Sequence, residues 1–303
     1  MRGAHAFALA ATAALTACTH DEAPGFDAPA AAVYDAEADV YLVSNVRGEP
    51  FAKDGNGYIA RVSPDDGSMR RHWIEGGRNG VTLHAPKGMA IAGDTLWVAD
   101  IDVVRRFDRT TGEPRGEVAI AAATCQTDVT AAADGTIYVT DAGVDAAGAA
   151  TGTDAIWRLA RGVPKATSGV ANGVSWVPEV LCKGPELGQP RGVVAHKDAV
   201  YFVSWRDGAF SFVDPRGVRT LLAKVDTTQL DGLVRVEPAA VGESPAWFAS
   251  SWAGRGIWSF GLSGAASKLP GTFEQPAGLG FDGRRRRLLV PLFGRDRLET
   301  RQL

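Results

Sequence analysis

Six times along the chain a short apolar run, rich in aromatic and branched residues, is followed roughly a dozen residues later by a second such run. The first runs open at Tyr41, Leu96, Ile137, Val200, Trp247 and Leu288, and the second at Tyr58, Val104, Ile156, Phe210, Ile257 and Leu298. A strand-only repeat of roughly 40 to 50 residues is the signature of a propeller, because one small sheet must stack on its neighbours to bury its faces. The fold class expected is therefore all-β, a six-bladed β-propeller. Upstream of each pair lies an innermost-strand candidate, opening at Pro29, Pro86, Thr127, Pro190, Leu230 and Pro276. This alignment makes Ala31, Gly88, Asp128, Gly192, Gly232 and Gly278 equivalent. Small residues there suit strands that crowd round an axis.

Composition agrees with a single repeat array. The 303 residues are 45% hydrophobic and 22% charged, enough apolar material for a large core, and 36 glycines suit a fold of many tight turns. A formal charge of -3 gives no broad basic field, so nucleic acid is not an expected partner. No Gly-x-Ser-x-Gly elbow occurs, and His72, His84 and His196 show no metal-ligand spacing.

The first residues read as a targeting segment. Arg2 precedes an Ala-rich apolar stretch too short to span a bilayer, and the stretch ends at Leu15-Thr16-Ala17-Cys18, which resembles the lipobox of bacterial lipoproteins. Residues 1–18 are thus expected to be a lipoprotein signal with Cys18 as the lipidated residue. Residues 19–28 then form a short tether with a ring-closing outer strand, and residues 29–303 the propeller. The expected location is the bacterial periplasm or cell envelope, with membrane contact through the lipid anchor only. In that oxidising compartment Cys125 and Cys182, placed before the first strands of consecutive blades, form either a disulfide or two separate buried thiols.

Antiparallel connectivity places the end of each second strand and the start of each innermost strand on one face, called upper here. Asn45, Asp100, Asp141, Trp205, Trp252 and Phe293 end the second strands, polar in the first three blades and aromatic in the last three. Lys87, Asp128, Arg191 and Asp231 come from the innermost strands. These ten residues are the candidate ligand-binding set, suited to a ligand with an apolar or sugar-like face and several hydrogen-bonding groups. Lys87 and Arg191 either neutralise the carboxylates or clamp an anionic ligand. The loop from Val46 to Lys53 lies on the same face as a prospective lid. Arginines 284–287 follow Asp282 in a lower-face hairpin and read as a solvated turn.

The Pro-x-Gly-hydrophobic strand at Pro86, followed by Leu96-Trp97-Val98-Ala99-Asp100, resembles the six-bladed propellers of the gluconolactonase and regucalcin (senescence marker protein) family. The shorter blades are similar to NHL repeats. The resemblance implies an axial divalent metal held by a Glu of the first blade and by Asn and Asp residues of later innermost strands. Asp231-Gly232-Leu233 matches the Asp motif and makes Asp231 the metal-ligand candidate. Ala30-Ala31 stands where the Glu is expected, and Arg191-Gly192 where Asn precedes Gly. A displaced site would use Asp100, Asp128, Asp141 and Asp231 with calcium, manganese or zinc. The function expected is a monomeric, lipid-anchored propeller binding a small molecule or an envelope protein at its upper axis. The alternative is a divalent-metal-dependent lactonase or ester hydrolase using Asp231.

Overall fold

A computed structural model describes residues 25–162, 175–238, 246–261 and 264–303. Cys18 and residues 19–24 of the tether lie outside the described residues. The strands form six antiparallel sheets, one per blade, each running outward from the axis in chain order. Blade 1 comprises β1 (Pro29–Asp35), β2 (Val40–Asn45), β3 (Tyr58–Val62) and β4 (Met69–Glu75), and blade 2 β5 (Pro86–Ala92), β6 (Thr95–Asp100), β7 (Val103–Asp108) and β8 (Pro114–Ala119). Blade 3 comprises β9 (Gln126–Ala131), β10 (Ile137–Asp141), β11 (Ala155–Gly162) and β12 (Ser175–Lys183), and blade 4 β13 (Pro190–His196), β14 (Ala199–Ser204), β15 (Ala209–Val213) and β16 (Arg219–Lys224). Blade 5 comprises β17 (Leu230–Val236), β18 (Ala246–Ser251), β19 (Gly256–Phe260) and β20 (Ala266–Lys268), and blade 6 β21 (Gly280–Asp282), β22 (Arg287–Leu292) and β23 (Arg297–Gln302).

The core lies between blades, where alternate side chains of facing sheets interdigitate. Leu42 and Ile59 of blade 1 pack with Leu96, Val98 and Phe107 of blade 2, and Phe210 of blade 4 packs with Trp247 and Phe260 of blade 5. Nearest the axis the backbones almost touch. A Cβ at Gly192 would stand 2.3 Å from the Leu233 nitrogen, and one at Gly232 2.3 Å from the Leu279 nitrogen, so any side chain there would force the strands apart.

Blade 6 has three strands among the described residues, and residues 25–28 form no strand beside it. Ring closure uses other means. The innermost strands of blades 1 and 6 bridge through Ala32 N–H to the Gly278 carbonyl at 3.1 Å and Gly278 N–H to the Ala30 carbonyl at 2.9 Å. Phe26 packs into the seam against a cluster containing Tyr58 of blade 1 and Leu289 of blade 6. On the lower face the arginine run is part of this seam rather than a free turn. Arg285 donates to Asp39 and Asp65 of blade 1, each at 2.7 Å, and Arg284 donates to Asp39 at 2.7 Å. The Arg285 guanidinium holds the Asp39 carboxyl well below the usual carboxylate range. Beneath them Asp282, fully buried, accepts from the Arg284 and Arg285 backbone N–H groups and from the Tyr41 hydroxyl at 2.8 Å.

The disulfide is not formed. Cys125 is buried just before the innermost strand of blade 3 while Cys182 lies in the outermost strand of the same blade, opposite Ile156, and both thiols are free. Three strand spacings, about 14 Å, separate such positions, beyond the roughly 7 Å between Cα atoms that a disulfide spans.

The buried Tyr41–Asp282 bond ties the first blade to the last. Tyr41→Phe is expected to lower stability in urea unfolding by about 2 kcal/mol, because it leaves a buried carboxylate oxygen with one fewer donor. A loss below about 0.5 kcal/mol, the range of neutral surface changes, would show that the seam does not depend on this bond.

Candidate functional site

The upper ends of the innermost strands carry a shared irregularity. The ladders between β5 and β6, β13 and β14, and β17 and β18 jump from Pro86 to Met89, from Pro190 to Val193 and from Leu230 to Leu233. Lys87, Arg191 and Asp231 fall within these bulges, which free a residue from the pleat and re-aim its side chain. Hydroxyls of the odd-numbered blades then pin the following blade. Ser44 donates to the Lys87 carbonyl at 2.7 Å, Thr140 to the Arg191 carbonyl at 2.7 Å, and Ser250 to the Ala277 carbonyl at 2.8 Å. Sequence reasoning missed these three. Their signal was a hydroxyl at the penultimate position of the second strand in alternate blades, where the others have Ala99, Val203 and Pro291.

Around Arg191 and Asp231 the aromatic residues form a continuous arc. Trp205 and Trp252 meet edge to face with ring centres 5.3 Å apart, and Trp252 meets Phe293 at 5.3 Å. The Arg191 guanidinium lies 4.3 Å from the Trp205 ring centre, and the Trp252 indole N–H donates to Asp231 at 3.2 Å. Arg191 and Asp231 approach only to 3.7 Å, with side chains 20% and 15% exposed, and the Arg191 Nε is buried without a hydrogen-bond partner. Burial pushes the Asp231 carboxyl up, opposed by Arg191, the Trp252 indole and Lys87.

Lys87 lies under the loop after β2. Its ammonium donates to the Pro50 carbonyl at 3.0 Å and the Ala85 carbonyl at 3.2 Å, 5.8 Å from the Phe51 ring centre. Phe51 itself packs on Cys125, Ala142 and Val144 of blade 3. Lys53 pairs with Asp102 at 2.6 Å and fastens the far end of the loop, which therefore covers this part of the rim as expected.

Asn45, Asp100 and Asp141 are not rim ligands. All three are fully buried and turned into their own blades. Asp100 accepts from the His84 and Ala85 N–H groups and pairs with Arg105 at 3.0 Å, Asp141 accepts from the Thr124, Cys125 and Gly143 N–H groups, and Asn45 from the Asp27 N–H. Their register partners in blades 4 to 6 are Ser204, Ser251 and Leu292; the aromatic residues stand one position further on. The polar-to-aromatic change round the rim is thus a one-residue offset. The positions equivalent to Trp205, Trp252 and Phe293 in blades 1 to 3 are Val46, Ile101 and Ala142.

Asp128 sits deeper, in the upper wall of an axial cavity of about 320 Å³. It accepts from the Val193 N–H at 2.9 Å and the Val129 N–H at 2.8 Å, tying β9 to β13. The four carboxylates of the displaced metal site do not converge, and among the described residues no group of three or more His, Cys, Asp or Glu side chains could hold a metal. Asp231 alone, with a guanidinium beside it, does not fit a hard divalent cation, which wants several oxygen ligands.

No protein-family model matches the chain, and no curated protein matches it in sequence. Among solved structures it is similar to a gluconolactonase from Xanthomonas campestris, at 17% identity over 88% of this chain and 84% of that one, with a TM-score of 0.59. It is also similar to a nutrient-binding protein from Bacteroides thetaiotaomicron, at 10% identity over 91% and 69%, TM-score 0.65. A third is a virginiamycin B lyase from Staphylococcus aureus with quinupristin, at 14% identity over 91% and 94%, TM-score 0.56. The chain is a six-bladed β-propeller with the fold of the gluconolactonase-like propellers.

Burial, with the Asp231 charge adding to it, pushes the Asp128 carboxyl up to about 7, against the pull of its two backbone donors. The folded state therefore holds the proton more tightly than the unfolded chain. The stability that Asp128 contributes is fully present below about pH 4 and is lost as pH rises through about 7. Thermal unfolding of Asp128→Asn is expected to lack this component, so the wild type loses ground to the variant between pH 5 and pH 8. Parallel pH curves for the two proteins would exclude the shift.

Proposed function

We propose that the protein is an exported, lipid-anchored propeller that binds a small organic ligand at the upper end of its axis. The carrying observation is the arc of Trp205, Trp252 and Phe293, all half-buried, round an arginine whose Nε has no partner. Aromatic faces beside a few convergent polar groups are what a small-molecule site requires. The loop carrying Phe51 covers the rim at Lys87, beside blade 3, which favours a small ligand over a flat protein partner there. Two of the similar structures are of a nutrient-binding protein and of a lyase with quinupristin, which supports the ligand-binding reading. The lactonase alternative has weaker support, because Asp231 is engaged by Arg191 and Trp252.

Titration of tryptophan fluorescence with a panel of small organic acids and sugars is expected to give a saturable change that Trp252→Ala weakens about tenfold or more, the scale of a lost aromatic contact. An equal response in the variant would remove the rim from the binding reaction. The anchor rests on the Leu15-to-Cys18 sequence alone. In cells fed an alkyne fatty acid, the wild type is expected to carry the label and Cys18→Ser to lose it; label retained by the variant rejects lipidation at Cys18.

A further inference from the structure

We propose that Lys87 is an amine nucleophile that captures a small 2-oxo acid as a Schiff base, with Arg191 holding the acid's carboxylate. The inference rests on the rim being a ligand site and adds the chemical class of that ligand.

Lys87 is the most buried charged side chain of the rim, 8% exposed, and its two acceptors are neutral carbonyls. Among the described residues no carboxylate lies within ion-pair distance of its ammonium. A buried lysine that serves only as a cation is normally paired. The ammonium also lies 5.8 Å from the Phe51 ring centre, and a neutral amine would keep both carbonyl bonds with its two hydrogens while its lone pair stays free. The titratable groups that act on it from neighbouring strands and loops are Arg191, Asp231, Asp100 and Cys125. Burial is the largest influence and, with Arg191, lowers the amine from the usual lysine range, against the other three groups. Desolvation beside a second cation is an established way to make a lysine nucleophilic.

Arg191 supplies the second half of the site. Its contact with Asp231 is long, at 3.7 Å, and its Nε is buried without a partner, so the guanidinium retains donors for a planar anion. Its guanidinium carbon lies over the Trp205 ring at 4.3 Å from the ring centre, which restrains where the fork sits. A ligand with a carboxylate next to a carbonyl meets both requirements. In the reaction the Lys87 lone pair forms a bond to the carbonyl carbon while the carbonyl π electrons move to oxygen. Loss of one water from the resulting carbinolamine leaves the C=N bond, with no oxidant or reductant consumed.

The test is reductive trapping on the full chain. Pyruvate or glyoxylate is added with sodium cyanoborohydride, and adducts are located by peptide mass mapping. The expected result is an adduct at Lys87 forming ahead of any at Lys53, Lys197, Lys224 or Lys268, faster as pH rises from 6 to 9. Lys87→Arg keeps a cation under the Pro50 carbonyl yet cannot form an imine, and is expected to abolish the adduct. Arg191→Met is expected to slow trapping of pyruvate about tenfold or more, the scale of a lost charge-assisted bond, beyond whatever slowing it causes with acetaldehyde, which has no carboxylate to hold. Adducts scattered over surface lysines, or an adduct surviving Lys87→Arg, would overturn the proposal. Pyruvate that perturbs the rim tryptophans without being trapped would also overturn it, while leaving the rim as a non-covalent site.

Discussion

The upper rim depends on how closely the innermost strands approach one another. With no side chain at Gly192 and Gly232, β13, β17 and the segment before β21 run backbone to backbone, and a single methyl would collide with a main-chain nitrogen at 2.3 Å. Close packing at that level leaves no room for a regular ladder just above it, and the strands bulge at Lys87, Arg191 and Asp231. The residues displaced by the bulge are the ones that carry charge to the axis. Asp128 is the exception that shows the rule. Where the other strands have Gly or Ala it inserts a carboxylate, which lies where a Cβ of Gly88 would stand and replaces direct strand contact by a bond to the Val193 N–H.

A ring of this kind is only as rigid as its seam. In blade 6 the described residues supply three strands, so the junction with blade 1 lacks a fourth strand there to span it. The seam is instead closed at three heights: Phe26 above, the Ala31–Gly278 bridge at the axis, and the Asp39–Arg285–Asp282–Tyr41 network below. The lower network combines a guanidinium shared among three carboxylates with a buried hydroxyl bond, an arrangement in which each member fixes the geometry of the next. Surface ion pairs contribute little singly. Here they matter because Asp282 beneath them is fully buried and would otherwise be an unpaired charge.

The architecture was legible because the signal repeats. Each run from Tyr41 to Leu288 became the second strand of a blade, and the equivalence of Gly88, Gly192, Gly232 and Gly278 holds as close-approach positions. The rim was legible only in part. Arg191, Asp231, Trp205, Trp252 and Phe293 do converge, but aligning Asn45, Asp100 and Asp141 with the aromatic residues misplaced them by one position. A strand reverses its facing at every step, so in blades 4 to 6 that single offset separates a buried position from a half-buried rim side chain. The arginines at 284–287 were misread for a different reason: their partners Asp39 and Asp65 lie more than two hundred residues away, and pairing across ring closure has no local signature.

The rim that results is unbalanced in charge. The even-numbered blades, whose Lys87, Arg191 and Ala277 carbonyls are pinned by hydroxyls, bring two cations to the axis, and the odd-numbered blades bring Ala30, Thr127 and one carboxylate, Asp231. Asp100 does not redress this, since it is already neutralised by Arg105 and two backbone donors. A desolvated excess of positive charge can be relieved in two ways: an amine gives up its proton, or an anion enters. A second positive ion is the one addition that worsens it, so a rim with Arg191 beside its single carboxylate Asp231 offers little electrostatic basis for a metal. The two remaining routes are complementary rather than competing. A carboxylate drawn to Arg191 would bring a neighbouring carbonyl toward Lys87, whose amine burial lowers from the usual lysine range.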